Sequence, residues 1–87
     1  MRVRVRLFAI QRELAGTREV ALELPDGATV ADAWNGLVEL HPALAPGRAS
    51  VRFARNGSYA DETTLLSDSA LIAMRAHIPL KMPTVLL

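Results

Sequence analysis

Strict alternation of apolar and polar residues opens the chain. Within residues 2–8 the odd positions are valine or leucine, and the even positions are three arginines followed by Phe8. Because successive side chains of a strand point to opposite faces, this pattern predicts a strand with one face in the core. Residues 19–24 alternate in the same way and end at Pro25. We interpret the two strands as a hairpin-like pair, joined by a short helical turn or loop that closes at Gly16.

Helical periodicity is clearest between Thr29 and Pro42, where apolar residues recur at the spacing of one helix face. Thr29 is a good N-cap, and Asp32 at the third helical position predicts a capping box. Trp34 lies on the apolar face and is expected in the core. Pro42 ends the helix. Gly36 costs up to ~1 kcal/mol relative to alanine inside a helix, and we expect close packing against the sheet to explain its presence.

The second half of the chain predicts three further strands. The segment PALAPGR is interpreted as a loop, and a strand follows it with Val51 and Phe53 facing inward. Asn56-Gly57 is a strong signal for a tight turn between two strands. A short strand is expected at Tyr59–Ala60, a loop after it, and a last strand at ALIAMRA.

The predicted order of elements is β-β-α-β-β-β, which is typical of the β-grasp or ubiquitin-like fold. We expect an α+β domain in which a mixed sheet of four to five strands carries one main helix on one face. The 87 residues suit a single domain, which we place at residues 1–76. Pro79 and Pro83 exclude a central strand after that point. Residues 77–87 are interpreted as an apolar tail that docks on a partner or a second copy, folds over its own sheet, or stays disordered.

Composition and charge narrow the possible functions. A net charge of +1 gives no general drive toward nucleic acid or anionic lipid. Cysteine is absent, so there is no disulfide and no thiolate nucleophile. No segment resembles a signal peptide or a membrane helix, and we expect a cytoplasmic protein. His41 and His77 are isolated, so we expect no metal site, and no catalytic set of side chains can be assembled.

Four segments carry a resemblance to a known family: VRLFAIQRELAG, LELPDGATVADAW, VRFARNGSYAD and TTLLSD. Together, over residues 1–68, they resemble the small subunit of molybdopterin synthase and related sulfur carrier proteins. The resemblance implies a carrier with no active site and no bound cofactor of its own. It also implies that an E1-like adenylyltransferase uses ATP to activate the terminal carboxylate, which becomes a thiocarboxylate. The large synthase subunit would then pass the sulfur to a pterin precursor.

The last residues depart from the family pattern. The family's tail ends in Gly-Gly, whereas this sequence ends in Leu86-Leu87 and contains no Gly-Gly. A tail that enters a narrow channel with an exposed carbonyl carbon needs residues without side chains. We therefore expect a chain that ends in this way to be a poor substrate for adenylation. An altered C-terminus, a carrier that has lost its chemistry and a tail that packs as extra structure all remain open.

Candidate partner-binding residues lie on the arginine face of the first strand. Phe8 shares that face with Arg6, and an exposed phenylalanine among arginines is typical of a partner anchor; the resemblance also places an apolar docking residue here. The alternative is that Phe8 folds back under the following turn. Tyr59 joins the same patch or covers the sheet edge. Arg52 and Arg55 would add to a basic face that suits an acidic partner.

A second function remains open from the sequence. β-Grasp domains also serve as protein- or RNA-binding modules that act through surface contact alone. An apolar centre near Phe8 with a basic rim would favour protein docking, whereas stacked aromatic residues in a basic groove would favour nucleic acid. The sequence contains only four aromatic residues, which makes nucleic acid the less favoured partner.

Overall fold

The computed structural model describes residues 1–76, which form one sheet with two α-helices and a 3₁₀ helix. The strands are β1 (Arg2–Leu7), β2 (Glu19–Glu23), β3 (Val51–Arg55), β4 (Ser58–Ala60) and β5 (Leu71–Ala76). The helices are α1 (Ala9–Ala15) and α2 (Val30–Leu40), and the 3₁₀ helix is Pro42–Ser50. The predicted α+β class and the β-grasp arrangement are confirmed.

The sheet is mixed, and its strand order is β2-β1-β5-β3-β4. The first and last strands pair in parallel, and all other neighbours pair antiparallel. Val5 lies opposite Val20 on one side and opposite Ile72 on the other. Because side chains of directly paired residues point to the same face, this register gathers the apolar positions of the sheet on one side.

The core lies between that side of the sheet and α2. The helix buries Val30, Ala33, Trp34 and Leu37, following the predicted apolar face. These side chains pack in one cluster with the inward residues of the strands and with Leu44 of the 3₁₀ helix. Its sheet residues include Val3, Val5, Leu7, Leu22, Val51, Phe53, Ile72 and Met74. One face of the sheet is therefore covered by α2, and within residues 1–76 the other face carries no helix.

Local sequence signals predicted the start of α2 and the turn between β3 and β4 correctly. The Thr29 hydroxyl accepts from the Asp32 backbone N–H at 3.4 Å, and the Asp32 carboxylate accepts from the Thr29 N–H at 2.9 Å. This is the predicted capping box. Asn56 and Gly57 both have positive φ, 49° and 89°, as a two-residue hairpin turn between β3 and β4 requires.

Two connections differ from the sequence interpretation. The segment from Pro42 to Ser50 is a 3₁₀ helix rather than a loop, and its Leu44 side chain is buried in the core. The link between the first two strands, interpreted as a short helical turn or loop, is a seven-residue α-helix, α1, so the helical alternative is the correct one but is longer than expected. Its end was recognisable, since Gly16 takes the left-handed conformation (φ 76°) and donates its N–H to the Arg12 carbonyl.

Gly36 does not need to be glycine. A methyl group at this position would lie 3.7 Å from the nearest atom, in the Leu24 side chain, which is an ordinary contact distance. The expectation that close packing against the sheet requires glycine here is therefore wrong.

We expect Gly36→Ala to raise the free energy of unfolding by up to ~1 kcal/mol, because alanine favours the helix and restricts the unfolded chain. Urea denaturation followed by circular dichroism would measure the change. Gly27→Ala is the matched control: its φ of 87° strains any side chain, so this variant should lose stability. A destabilised Gly36→Ala protein would show that the helix–sheet contact is tighter than these distances indicate.

Candidate docking surface

The side of the sheet away from α2, here called the open face, carries a row of residues that crosses all five strands. From β4 to β2 the directly paired positions are Tyr59, Ala54, Ala73, Arg6 and Glu19. With strands about 4.8 Å apart, the four spacings between these positions span roughly 19 Å. The row therefore has an aromatic ring at one margin, two alanines in the middle and charged groups at the other margin.

The centre of the open face is small and apolar. Ala54 and Ala73 are paired with each other and are both half-buried. Leu71, two residues before Ala73 on β5, is also half-buried and is paired with Arg4. Short side chains at the centre of a sheet leave room for the side chains of another surface to approach the strands closely.

The arginines of β1 are paired with glutamates of β2. Arg2 Nε lies 2.9 Å from Glu23 Oε2, and Arg6 Nη2 lies 3.1 Å from Glu19 Oε1. Arg4 Nη1 reaches the other oxygen of Glu19 at 3.8 Å. These pairs are largely exposed, so each adds little to stability. They reduce the basic character expected for this part of the open face, because the glutamates lie on the same side as the arginines.

Phe8 lies at the C-terminal end of β1, beside a pocket of about 260 Å³ lined by Arg6, Leu7, Phe8, Arg12 and Arg18. The strand ends at Leu7, yet Phe8 keeps an extended backbone (φ −125°, ψ 153°) before α1 begins. Its side chain is half-buried and lies outside the core cluster. Phe8 is therefore neither fully exposed nor sealed beneath α2, and its role as a partner anchor stays a prediction.

Tyr59 and Phe8 occupy opposite margins of the open face. Tyr59 is 75% exposed and sits opposite Ala54 on β4. Tyr59 lies three strand spacings from Arg6, and Phe8 lies two residues beyond Arg6 along the chain. The Cα atoms of Tyr59 and Phe8 are therefore roughly 16 Å apart. The rings cannot stack on one another or on a common base, so they form two separate contact points on one surface.

Arg52 and Arg55 lie on different sides of the sheet. Arg52 is exposed and alternates with the buried Val51 and Phe53, which puts it on the open face as predicted. Arg55 is paired with Ile72 of the core side, and its Nη1 donates to the Leu65 carbonyl at 2.8 Å. The expectation that Arg55 adds to the basic face is therefore wrong, because the register turns it away.

The loop beyond Tyr59 is held by an ionised carboxylate. Asp61 accepts hydrogen bonds from the Thr63 hydroxyl at 2.7 Å and from the Thr63 backbone N–H at 2.9 Å. These bonds from Thr63 favour the charged form and hold the pKa of Asp61 below its ordinary value. The carboxylate is thus charged across the neutral range and fixes the turn that follows β4.

Sequence reasoning missed part of this surface. The alanines at its centre carry no functional signal by themselves, and only the register between β3 and β5 brings them together. Arg18 was not singled out, although its position immediately before the second strand was a signal that it would lie near the end of the first. Leu86, Leu87 and His77 lie outside the described residues, so the expectations for the tail stay predictions.

Among residues 1–76, no group of three or more His, Cys, Asp or Glu side chains is placed to hold a metal ion. None of the helices described is long and apolar enough to cross a membrane.

Comparison with known proteins gives consistent matches. The model of the ThiS family matches residues 5–74. A molybdopterin synthase sulfur carrier subunit from Chlamydomonas reinhardtii is 39% identical over 59 residues, covering 68% of this chain and 71% of the relative. One from Arabidopsis thaliana is 32% identical over 81 residues, covering 93% of this chain and 78% of the relative.

Solved structures share the fold. The crystal structure of SAMP1 from Haloferax volcanii has a TM-score of 0.82 and 29% identity, covering 90% of this chain and 97% of its own. A chain from the complex of subunits 1 and 2 of the molybdopterin-converting factor of Helicobacter pylori has a TM-score of 0.65 and 18% identity. That match covers 91% of this chain and 97% of the other.

Proposed function

Because the chain belongs to the ThiS family, we propose that it is the sulfur carrier subunit of a molybdopterin synthase and works in molybdenum cofactor biosynthesis. The relatives that bear this name match most of the described domain at 39% and 32% identity. In this role the chain supplies a docking surface, and its partners supply the active sites. By the family resemblance, carrying sulfur as a thiocarboxylate needs a terminal Gly-Gly, which this sequence does not contain. An E1-like enzyme that consumes ATP is the proposed activating partner, by family resemblance.

The observation that carries the proposal is the open face itself. It spans all five strands, no helix of residues 1–76 covers it, and its central positions are Ala54, Ala73 and Leu71. An apolar centre with charged margins is the usual composition of a protein interface. We therefore propose that the large synthase subunit covers this face, with Tyr59, Arg52 and Phe8 at its margins.

The position of β5 links the proposed docking surface to the C-terminal end of the described chain. Parallel pairing of Leu7 with Met74 brings the end of β5 to the same end of the sheet as Phe8. A partner that covers the open face therefore also reaches the end of β5 at Ala76, the last residue that the structure describes. A carrier needs this arrangement, since its partner has to receive the segment that follows.

The rival function, an RNA-binding module, is less well supported by this surface. Binding of single-stranded nucleic acid uses a basic groove with aromatic side chains on which successive bases stack. Here Tyr59 and Phe8 are roughly 16 Å apart, and the β1 arginines share their face with Glu19 and Glu23. These features favour a protein partner.

Mixing the chain with the large synthase subunit of the same organism tests the proposal. We expect a complex at micromolar concentration, measured by isothermal titration calorimetry. Phe8→Arg should weaken that complex by about 2–4 kcal/mol if Phe8 is an anchor, while circular dichroism of the free domain stays unchanged. Absence of a complex with the wild-type chain would contradict the proposed function, and unchanged binding of Phe8→Arg would contradict only the role of that residue.

A further inference from the structure

We propose that the pocket at the end of β1 is a receptor for a carboxylate on an acidic loop of the protein partner. Arg6, Arg12 and Arg18 line this pocket together with Leu7 and Phe8. The inference rests on the proposed function, because the acidic loop is assigned to the same large subunit that covers the open face.

The pocket brings together charge that the described chain does not neutralise. Both oxygens of Glu19 are engaged, one by Arg6 at 3.1 Å and the other by Arg4 at 3.8 Å. No ion pair within residues 1–76 involves Arg12 or Arg18. Two guanidinium groups without a carboxylate partner in the described part of the chain therefore flank one opening. Planar guanidinium groups bind carboxylates through two parallel hydrogen bonds.

Backbone hydrogen bonds hold the two arginine positions in place. The Arg12 carbonyl accepts from the Gly16 N–H at 2.9 Å, which closes α1 and turns the chain back toward the sheet. The Arg18 carbonyl accepts from the Leu7 N–H at 2.9 Å, which extends the β1–β2 ladder by one residue. A site whose backbone is fixed before binding loses less entropy when a partner arrives.

The size and position of the pocket favour a protein side chain as its occupant. Its volume is about 260 Å³, below the roughly 300–1,000 Å³ of sites that enclose drug-sized ligands such as nucleotides. It suits one or two side chains. Arg6 belongs both to this pocket and to the row across the open face, so a protein on that face reaches the pocket without a gap. We therefore assign a protein carboxylate as the occupant.

Binding of the large synthase subunit to Arg12→Gln, Arg18→Gln and the double variant tests the assignment. We expect the dissociation constant to rise about tenfold for each single variant and about a hundredfold for the double variant, as for charge pairs at interfaces. The association rate of the wild-type chain should fall with added NaCl, and that dependence should be weaker in the double variant. Both substitutions are at exposed positions, and circular dichroism would verify that the fold is kept.

Arg55→Gln is the matched control, because it removes the same charge from β3, and Arg55 does not line the pocket. It should bind as the wild type does. If the wild type binds and the double variant binds equally well with the same salt dependence, the pocket assignment is overturned and the proposed function stands. If Arg55→Gln weakens binding as much as Arg12→Gln does, net charge rather than the pocket is responsible, which also overturns the assignment. Failure of the wild type to bind overturns the proposed function and the assignment together.

Discussion

Ala73→Glu should abolish docking on the large synthase subunit while leaving the free domain folded. Ala73 lies at the centre of the open face, directly between Arg6 on β1 and Ala54 on β3. A glutamate there raises a long charged side chain where a partner would need to approach the strands. We expect the dissociation constant to rise at least a hundredfold, about 3 kcal/mol, as at the centre of other interfaces. Titration calorimetry would measure it.

The stability of the free Ala73→Glu domain should change by less than about 1 kcal/mol. The introduced carboxylate faces Arg6 across the strands, and opposite charges in that position stabilise a sheet by about 0.2–1 kcal/mol. Ser58→Glu is the control, since Ser58 is exposed and is paired with Arg55, away from the open face. Equal binding by Ala73→Glu and wild type would exclude the centre of the open face as the docking site.

Trp34→Ala should cost about 3–5 kcal/mol of folding free energy, the usual loss for a large aromatic side chain in a core. Trp34 is only 8% exposed and meets the Phe53 ring edge-on, with centroids 6.2 Å apart. The Arg48 guanidinium lies 5.8 Å from its centroid and 4.7 Å from that of Phe53. Native proteins hold about 5–15 kcal/mol in total, so this loss would remove between roughly a fifth and all of the folding free energy.

Urea denaturation followed by circular dichroism is the appropriate measurement, because Trp34 is the only tryptophan and its fluorescence is lost in the variant. Trp34→Phe should lose clearly less folding free energy than Trp34→Ala, since it keeps an aromatic ring beside Phe53 and Arg48. Leu40→Ala is the control for an apolar residue on the same helix. Leu40 is 58% exposed, so its replacement should lower the free energy of unfolding by no more than about 0.5 kcal/mol. A loss below 1 kcal/mol for Trp34→Ala would mean that this part of the core repacks.

The sequence predicted the covered side of the sheet well, for physical reasons. Alternation in β1 places Val3, Val5 and Leu7 inward, and the structure buries all three almost completely. The start of α2 followed from Thr29 and Asp32, since a capping box acts through residues close in the chain. These signals are local, so they can be read without knowing the tertiary structure.

The open face could be predicted only in part, because it depends on contacts between distant residues. Ala54 and Ala73 become neighbours through the pairing of β3 with β5, which no local pattern specifies. The same pairing turned Arg55 away from the face on which it was expected. The glutamates that partner the β1 arginines were visible in the sequence, but their effect on the charge of that face required the register between β1 and β2.

The central place of β5 has a consequence for synthesis of the protein. The two hairpins, β1 with β2 and β3 with β4, can each form early, but the sheet joins them only through Leu71–Ala76. A nascent chain on the ribosome therefore holds two small, unjoined pieces, each with an open strand edge, until almost all of the domain has been translated. Exposed strand edges can pair with other chains and cause aggregation. Premature termination before residue 71 should therefore yield insoluble or chaperone-bound product rather than a smaller folded domain.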